Sequence, residues 1–374
     1  MNETMYLELI ELLTTDSASG KERAIARLLI EKLEKLGFAV TTDHAGQTFG
    51  GDCGNVLGVL EGQLNGSLLL CSHMDRVPNG LGIHPVERDG VLCSDGTTIL
   101  AADDVSGICA ILDGLRRVVA SGRPLPRLEV LFTVGEEAGL SGSRAMDLGR
   151  LQSRMGYIFD SPGRVGRFVI SAPGRCQLGA EITGLAAHAG NEPEKGIDAA
   201  KLLCDILSTL KQGRLDEETT SNFPILSTSS SATNVVCDFA SFRGEVRSRD
   251  PQKLADYASY FEWHCRQAAE ERGAGLKLTV KQAYQPFRIS ESSKIVEIAR
   301  TACASLGLDS SFEAGGGGMD ANIFNARGLT TIGVATGYAR NHTKNEQLIL
   351  KDFFLSGQLA QAIIETYAEG CGIK

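Results

Sequence analysis

The chain has 374 residues, of which 43% are hydrophobic and 22% charged, and its net charge is −9. At roughly 100–200 residues per domain this length suggests two or three domains with buried cores, which excludes a disordered chain. The acidic balance and the lack of a long basic run exclude a nucleic-acid backbone as the main partner, and no apolar stretch approaches the ~20 residues that span a bilayer. The first ten residues carry acids and no basic n-region, so they do not read as a secretory signal. Ten cysteines are scattered without a C-x-x-C pair, and several, such as Cys71, Cys109 and Cys237, sit in apolar runs. That pattern reads as buried free thiols in a reducing compartment, the cytoplasm.

The first 40 residues read as helical. Ser19-Gly20-Lys21-Glu22 has the form of a capping box, and Ala24, Leu28, Leu29, Leu33 and Leu36 follow at helical spacing. Short strands are predicted at Phe38–Thr42 and Val56–Leu60. Four apolar runs, Leu68–Cys71, Val130–Val134, Tyr157–Phe159 and Thr330–Ala335, suit central strands covered on both faces. Val105–Val119 reads as a helix between the first two, and the alternation indicates a doubly wound α/β sheet. Near Gly174 the pattern changes. Strand Cys176–Thr183, helix Ile197–Leu210, strands Val235–Phe239 and Phe242–Arg247, helix Pro251–Arg272 and strand Leu276–Gln282 follow in the β-α-β-β-α-β order of a ferredoxin-like unit. The expected organisation is a catalytic domain in two parts, 1–173 and 287–374, with a smaller domain inserted at 174–286.

Several polar motifs fall at the ends of these elements. Ser72-His73-Met74-Asp75 follows the first apolar run, and alternation along an extended segment puts Asp75 on the same side as His73. Imidazole ligates zinc well, and a carboxylate beside it can hold the other ring nitrogen. Ala102-Asp103-Asp104 precedes the predicted helix, Gly135-Glu136-Glu137-Ala138-Gly139 ends the second run, Asp160 ends the third, and His342 follows the fourth after a glycine-containing loop. Taken singly, each also fits a surface turn, a helix cap or a solvated loop. Their shared placement is the stronger signal. His73, Glu136, Glu137, Asp160 and His342 all lie beyond the carboxyl ends of predicted strands, where open α/β sheets form their sites. Such donors suit borderline-to-hard divalent metals, zinc first, with manganese or cobalt as alternatives.

Together the motifs resemble the dinuclear-zinc peptidase family of peptidase T, aminoacylase and carboxypeptidase G. The resemblance spans nearly the whole chain and is nearest to the peptidase T-like, tripeptidase branch, on the strength of Ser94-Asp95-Gly96-Thr97-Thr98-Ile99-Leu100 ahead of Ala102-Asp103-Asp104. It implies a zinc-exopeptidase-like mixed sheet flanked by helices, with the inserted ferredoxin-like unit as lid and dimerisation domain. It also implies two zinc ions per chain: His73 and Asp160 on one, Glu137 and His342 on the other, and Asp103 bridging. Asp75 would orient His73, and Glu136 would be the general base. Ala187-His188-Ala189-Gly190 resembles the lid histidine motif. Asn234 and Arg247 match positions that grip substrate, and Gly315–Asn322 resembles the glycine-rich substrate loop. Relatives usually read Gly-Ala-Asp-Asp-Lys around the bridging acid, whereas Ala101 and Val105 stand here in place of the glycine and lysine.

The expected activity is hydrolysis of short peptides by a water that two metals activate, with Glu136 taking its proton and His188 helping to stabilise the oxyanion. Deacylation of N-acyl amino acids is the alternative within enzymes, and a non-catalytic binding protein on the same fold is the alternative outside them. The resemblance further implies a homodimer in which His188 serves the partner's site. No nucleic acid or membrane partner is expected.

Overall fold

The structure is a computed structural model and describes residues 2–373. The chain forms two compact units. One comprises the chain up to Ser171, Arg288–Gly315 and the chain from Met319 onward; the other comprises Ala172–Phe287 with Gly316–Gly318.

Among the described residues, the first unit is built on a nine-stranded mixed sheet. The four apolar runs form its centre, as strands Arg127–Thr133, Ser67–His73, Met155–Ser161 and Thr330–Ala335, each parallel to its neighbour. Strand Ser67–His73 is buried at every position, which explains why it reads as a continuous apolar run and does not alternate. Antiparallel strands Val56–Leu60 and Ala39–Thr42 extend the sheet on one side, and Arg167–Ala172 lies antiparallel to Thr330–Ala335 on the other. Helix Ala102–Ser121 packs on strands Ser67–His73 and Met155–Ser161 and against helix Leu350–Glu369. The mixed sheet flanked by helices is the architecture that the sequence implies.

The N-terminal helices differ from the capping-box reading. Helix Glu3–Leu13 ends at Thr14, and the second helix, Arg23–Lys35, has no side-chain cap at Glu22. Ser19 instead donates to the Asp75 carboxylate at 2.5 Å, and Glu22 accepts the Gly135 N–H at 3.0 Å. A capping box needs both side chains turned onto the helix's own first turn, and here they are drawn to the strand ends. Ile25, Ala26, Leu29 and Leu33 form the buried face of this helix.

The second unit is a five-stranded antiparallel sheet with helices Ala199–Thr209 and Pro251–Arg272. Its main strands run in the order Thr219–Thr228, Phe239–Ser248, Gly174–Thr183 and Gly275–Tyr284, which is the ferredoxin-like arrangement. The middle strands are not Val235–Phe239 and Phe242–Arg247. The latter belongs to one long strand, Phe239–Ser248, and the missing strand is Thr219–Thr228. Polar residues and Pro224 hid it. Pro224 falls in the register shift between Asn222 and Ile225, where a missing N–H is tolerated. Val235 makes only an isolated bridge to His188.

Helices Ala102–Ser121 and Leu350–Glu369 approach through glycines. A Cβ on Gly114 would lie 2.6 Å from the Ala360 Cβ and 2.9 Å from the Gln361 nitrogen, and one on Gly357 would lie 2.4 Å from Asp113 Oδ2. Replacing glycine by alanine inside a helix ordinarily stabilises by about 1 kcal/mol. Here overpacking against a neighbouring backbone, which costs about 1–3 kcal/mol, should outweigh that gain. Gly114→Ala is therefore expected to lower stability in a urea melt by about 1–2 kcal/mol; a stabilised variant would show that the helices separate freely.

Candidate active site

Strand register sets the site. In the parallel pairing, His73 lies opposite Thr133 and Cys71 opposite Ile158. His73 and Asp160 thus end neighbouring strands, and the turn Val134–Glu137 begins one residue beyond Thr133 on the other side. That turn donates four successive backbone N–H groups to side chains from distant segments. Val134 donates to Asn55 Oδ1 at 3.0 Å, Gly135 to Glu22 Oε1 at 3.0 Å, Glu136 to Asp75 Oδ1 at 2.9 Å and Glu137 to Asp75 Oδ2 at 3.1 Å. The Asp75 carboxylate is thus chiefly engaged by this turn and by Ser19. His73 is oriented through the main chain: its Nδ1 lies 2.9 Å from the Asp75 carbonyl oxygen and 3.4 Å from the carboxylate. With Nδ1–H donating to that carbonyl, Nε2 is left facing the cluster of acids.

Asp103 stands between two imidazoles. Its Oδ1 is 3.1 Å from His73 Nε2, and its Oδ2 is 3.3 Å from His342 Nε2 and accepts from Asn341 Nδ2 at 2.6 Å. Glu137 Oε1 is 2.7 Å from His342 Nε2, and Asp160 Oδ1 is 4.0 Å from His73 Nε2. The five residues expected as ligands are thus brought together around Asp103. Ligand-type atoms of His73, Asp103 and Glu137 lie within 4.8 Å of one another, as do those of His73, Asp104 and Asp160. Asp104 is buried beside them, with its Oδ2 taken by the Ser72 hydroxyl and the His73 N–H.

The electrostatics follow from burial. Desolvation pushes the Glu136 and Asp160 carboxyls well above the usual range. Burial also pushes Asp103 upward, but hydrogen bonds from His342 and His73 outweigh it and its net shift is downward. Bonds to Asp103 and Glu137 push His342 up to about 10. The pocket therefore carries more carboxylates than imidazoles can balance. A buried excess of this kind is offset by protons or by cations, and the mix of imidazole nitrogen and carboxylate oxygen fits a divalent metal of the zinc class.

A profile described as peptidase family M20/M25/M40 matches residues 69–366, most of the chain. The chain belongs to this family. It is 35% identical over 371 residues to Uncharacterized protein YqjE of Bacillus subtilis (strain 168), covering 99% of this chain and 100% of that protein. Aminopeptidase PepT from Bacillus cereus ATCC 10987 matches with a TM-score of 0.91 and 34% identity over 98% of each chain. A tripeptidase from Staphylococcus aureus subsp. aureus mu50 matches with a TM-score of 0.93 and 32% identity, again over 98% of each chain. The protein is a peptidase of the M20/M25/M40 family, a hydrolase of peptide bonds.

The departures from the family pattern have distinct settings. Ala101 holds φ 59° and ψ 33°, a left-handed conformation that costs a residue with a Cβ about 1–2 kcal/mol and that glycine adopts freely. Val105 is buried in the main apolar core, where a lysine charge would lack water. Glu346, not singled out in the sequence, braces the Ala101 bend. It is fully buried, its Oε2 accepts the N–H groups of Leu100 and Ala101 at 3.0 and 2.8 Å, and its Oε1 accepts that of Asp103 at 3.0 Å. An acid four residues after His342 was the available signal. Tyr338, whose hydroxyl donates to Asp160 Oδ1 at 3.1 Å, also escaped sequence reasoning, while Asp320, within the glycine-rich loop that the sequence singles out, accepts from Thr133 Oγ1 at 2.6 Å.

His188, Asn234 and Arg247 belong to the second unit. His188 and Asn234 lie on adjoining segments: Ala189 donates to the Asn234 carbonyl at 3.0 Å, and His188 bridges Val235. The N–H groups of Gly190 and Asn191 donate to His188 Nδ1 at 3.1 and 3.2 Å, so a neutral ring carries its proton on Nε2. Arg247 Nε donates to Glu245 Oε1 at 2.6 Å.

Glu346→Gln removes negative charge and turns an amide toward N–H donors. Burial and the nearby Asp103 raise the Glu346 carboxyl to about 7, so the variant is expected to destabilise the protein by about 2–4 kcal/mol in a denaturant melt above that pH, where each bond to a charged acceptor is worth about 1.5–3 kcal/mol. A loss below about 0.5 kcal/mol, the level of an ordinary surface change, would show that the bend holds without it.

Proposed function

We propose that this peptidase cleaves short peptides, tripeptides among them, at a centre for two divalent cations. The observation that carries the reading is the Asp103 carboxylate, with one oxygen 3.1 Å from His73 Nε2 and the other 3.3 Å from His342 Nε2. His73 and Asp160 would hold one ion, Glu137 and His342 the other, and Asp103 both. Zinc suits these donors first, with manganese or cobalt as substitutes. Such ions, when bound, acidify water and polarise the scissile carbonyl.

The chain's own residues have separable tasks in this reading. The Asp75 carbonyl fixes the His73 ring, and the Asp75 carboxylate fixes the turn that carries Glu136. The Glu136 carboxylate takes a proton from the attacking water and returns it to the leaving amine. His188, with its proton on Nε2, donates to the oxyanion as it develops. Arg247 and Asn234 bind the substrate carboxylate, the guanidinium offering a fork that lysine lacks. We place the enzyme in the cytoplasm, a setting that suits its ten free cysteines. We also propose a homodimer in which His188 serves the partner's site. Support comes from the edge strand Thr219–Thr228, where Ile225 and Leu226 are exposed beyond the short strand Gly213–Arg214. Sedimentation as a monomer would overturn the dimer.

The two neighbouring glutamates separate the roles. Glu136→Gln is expected to lower kcat by about a hundred- to ten-thousandfold with metal content near that of the parent. Glu137→Gln should lose metal as well as activity; equal metal loss in both variants, by elemental analysis, overturns the assignment.

A panel of tripeptides against N-acetyl amino acids tests the substrate class, with exhaustive chelation as the control. Tripeptides are expected to turn over faster and chelation to abolish turnover. Preference for the acyl amino acids would make the enzyme a deacylase, and activity surviving chelation would remove the metal centre from the reaction.

A further inference from the structure

We propose that Glu22, Asp52 and Cys53 form an additional cation site, sharing no residue with the His73–His342 centre, for a thiophilic divalent ion of the zinc class. A carboxylate oxygen of each acid and the Cys53 sulfur lie within 4.8 Å of one another. Glu22 is fully buried at the start of helix Arg23–Lys35. Its Oε1 accepts the Gly135 N–H at 3.0 Å, while its Oε2, equally buried, has no hydrogen-bond partner. Burial pushes the Glu22 carboxyl up to about 7, so its charge is offset by a proton or by a cation, and a cation would also satisfy the oxygen that lacks a donor.

The neighbours point the same way. Arg23, which follows Glu22, turns its guanidinium to the Asp52 main-chain carbonyl, with Nε at 3.0 Å and Nη2 at 2.5 Å. Asp52 Oδ1 accepts the Arg23 N–H at 3.1 Å. Burial, with Glu22 and Asp52 adding negative charge, pushes the Cys53 thiol up to about 12. A dication reverses that bias, because a coordinating thiol gives up its proton to the ion. One thiolate and two carboxylates select a zinc-class ion over magnesium or calcium, which take oxygen ligands. The site would tie the start of helix Arg23–Lys35 and the loop before strand Val56–Leu60 to the turn that bears Glu136. Occupancy would fix the Glu22 carboxylate on the Gly135 N–H, next to the general base, so the site fits a regulatory or bracing role and not a catalytic one.

Cobalt substitution tests the site without reference to turnover. A thiolate bound to cobalt gives a near-ultraviolet charge-transfer band, and the five residues assigned to the other centre carry no sulfur. The full-length protein loaded with cobalt is expected to show this band and, by equilibrium dialysis, to bind one more ion than Cys53→Ser. The Cys53→Ser variant should lose the band and keep the visible absorption of cobalt in nitrogen and oxygen surroundings. Glu22→Gln, which keeps an acceptor for Gly135, should need more cobalt to reach the same band. Should Glu22→Gln fail to fold, Cys53→Ser and Cys53→Ala carry the test. No thiolate band in the parent protein at saturating cobalt, or a band unchanged in Cys53→Ser, overturns the proposal.

Discussion

Four consecutive backbone N–H groups, from Val134 to Glu137, end on the side chains of Asn55, Glu22 and Asp75. A turn that leaves a buried strand must satisfy these donors away from water, and each one left unpaired would cost about 1–3 kcal/mol. The acceptors come from three segments far apart in the chain. Because Asp75 is also the second residue after His73, the same carboxylate ties the end of strand Ser67–His73 to the turn after strand Arg127–Thr133. The spacing of His73 from Glu136 and Glu137 is therefore a consequence of main-chain hydrogen bonding.

Asp75 is itself held from below. Arg76, almost wholly buried, donates to the carbonyls of Leu12, Leu13, Thr15 and Gly80 at 2.9–3.1 Å. Two of these carbonyls end helix Glu3–Leu13, where a cation complements both the orphan acceptors and the helix dipole. The N-terminal helices thus act as a support for the site although they contribute none of its five proposed ligands. The opposite side is braced by Glu346, which gathers the bend at Leu100–Asp103 from a distance of more than 240 residues in sequence. The strained left-handed Ala101 persists because this carboxylate over-determines it.

The second unit follows a different logic. Its core is one sheet face covered by two helices, with Phe223, Phe242 and Phe261 in mutual ring contact. The open face carries Arg175, Arg243, Glu245 and Arg247, which alternation along the strands turns away from that core. Polar residues on that face and on the His188 segment cost the unit little stability, because its core lies on the other side. Such a unit can present binding groups without strain in its own packing.

The sequence alone determined the order of elements and the residue types at strand ends. Short, fully apolar runs such as Leu68–Cys71 suit central strands, and an acid or histidine just after such a strand lies at the sheet's carboxyl edge. That logic reached His73, Glu136, Glu137, Asp160 and His342 as a set, and the structure gathers them. The strand Thr219–Thr228 was illegible because an edge strand tolerates polar residues and a proline, so no periodicity marks it. The roles of Ser19 and Glu22 differ from the capping-box reading for a related reason: Ser-x-x-Glu states that the two can cap a helix, but not whether better partners compete. Only the tertiary structure decided that competition, by bringing the Gly135 N–H to Glu22 and Asp75 to Ser19. Glu346 belongs to the same class. Its partners are backbone N–H groups, which carry no residue identity, and a hydrogen bond to the backbone leaves no trace in the sequence that donates it.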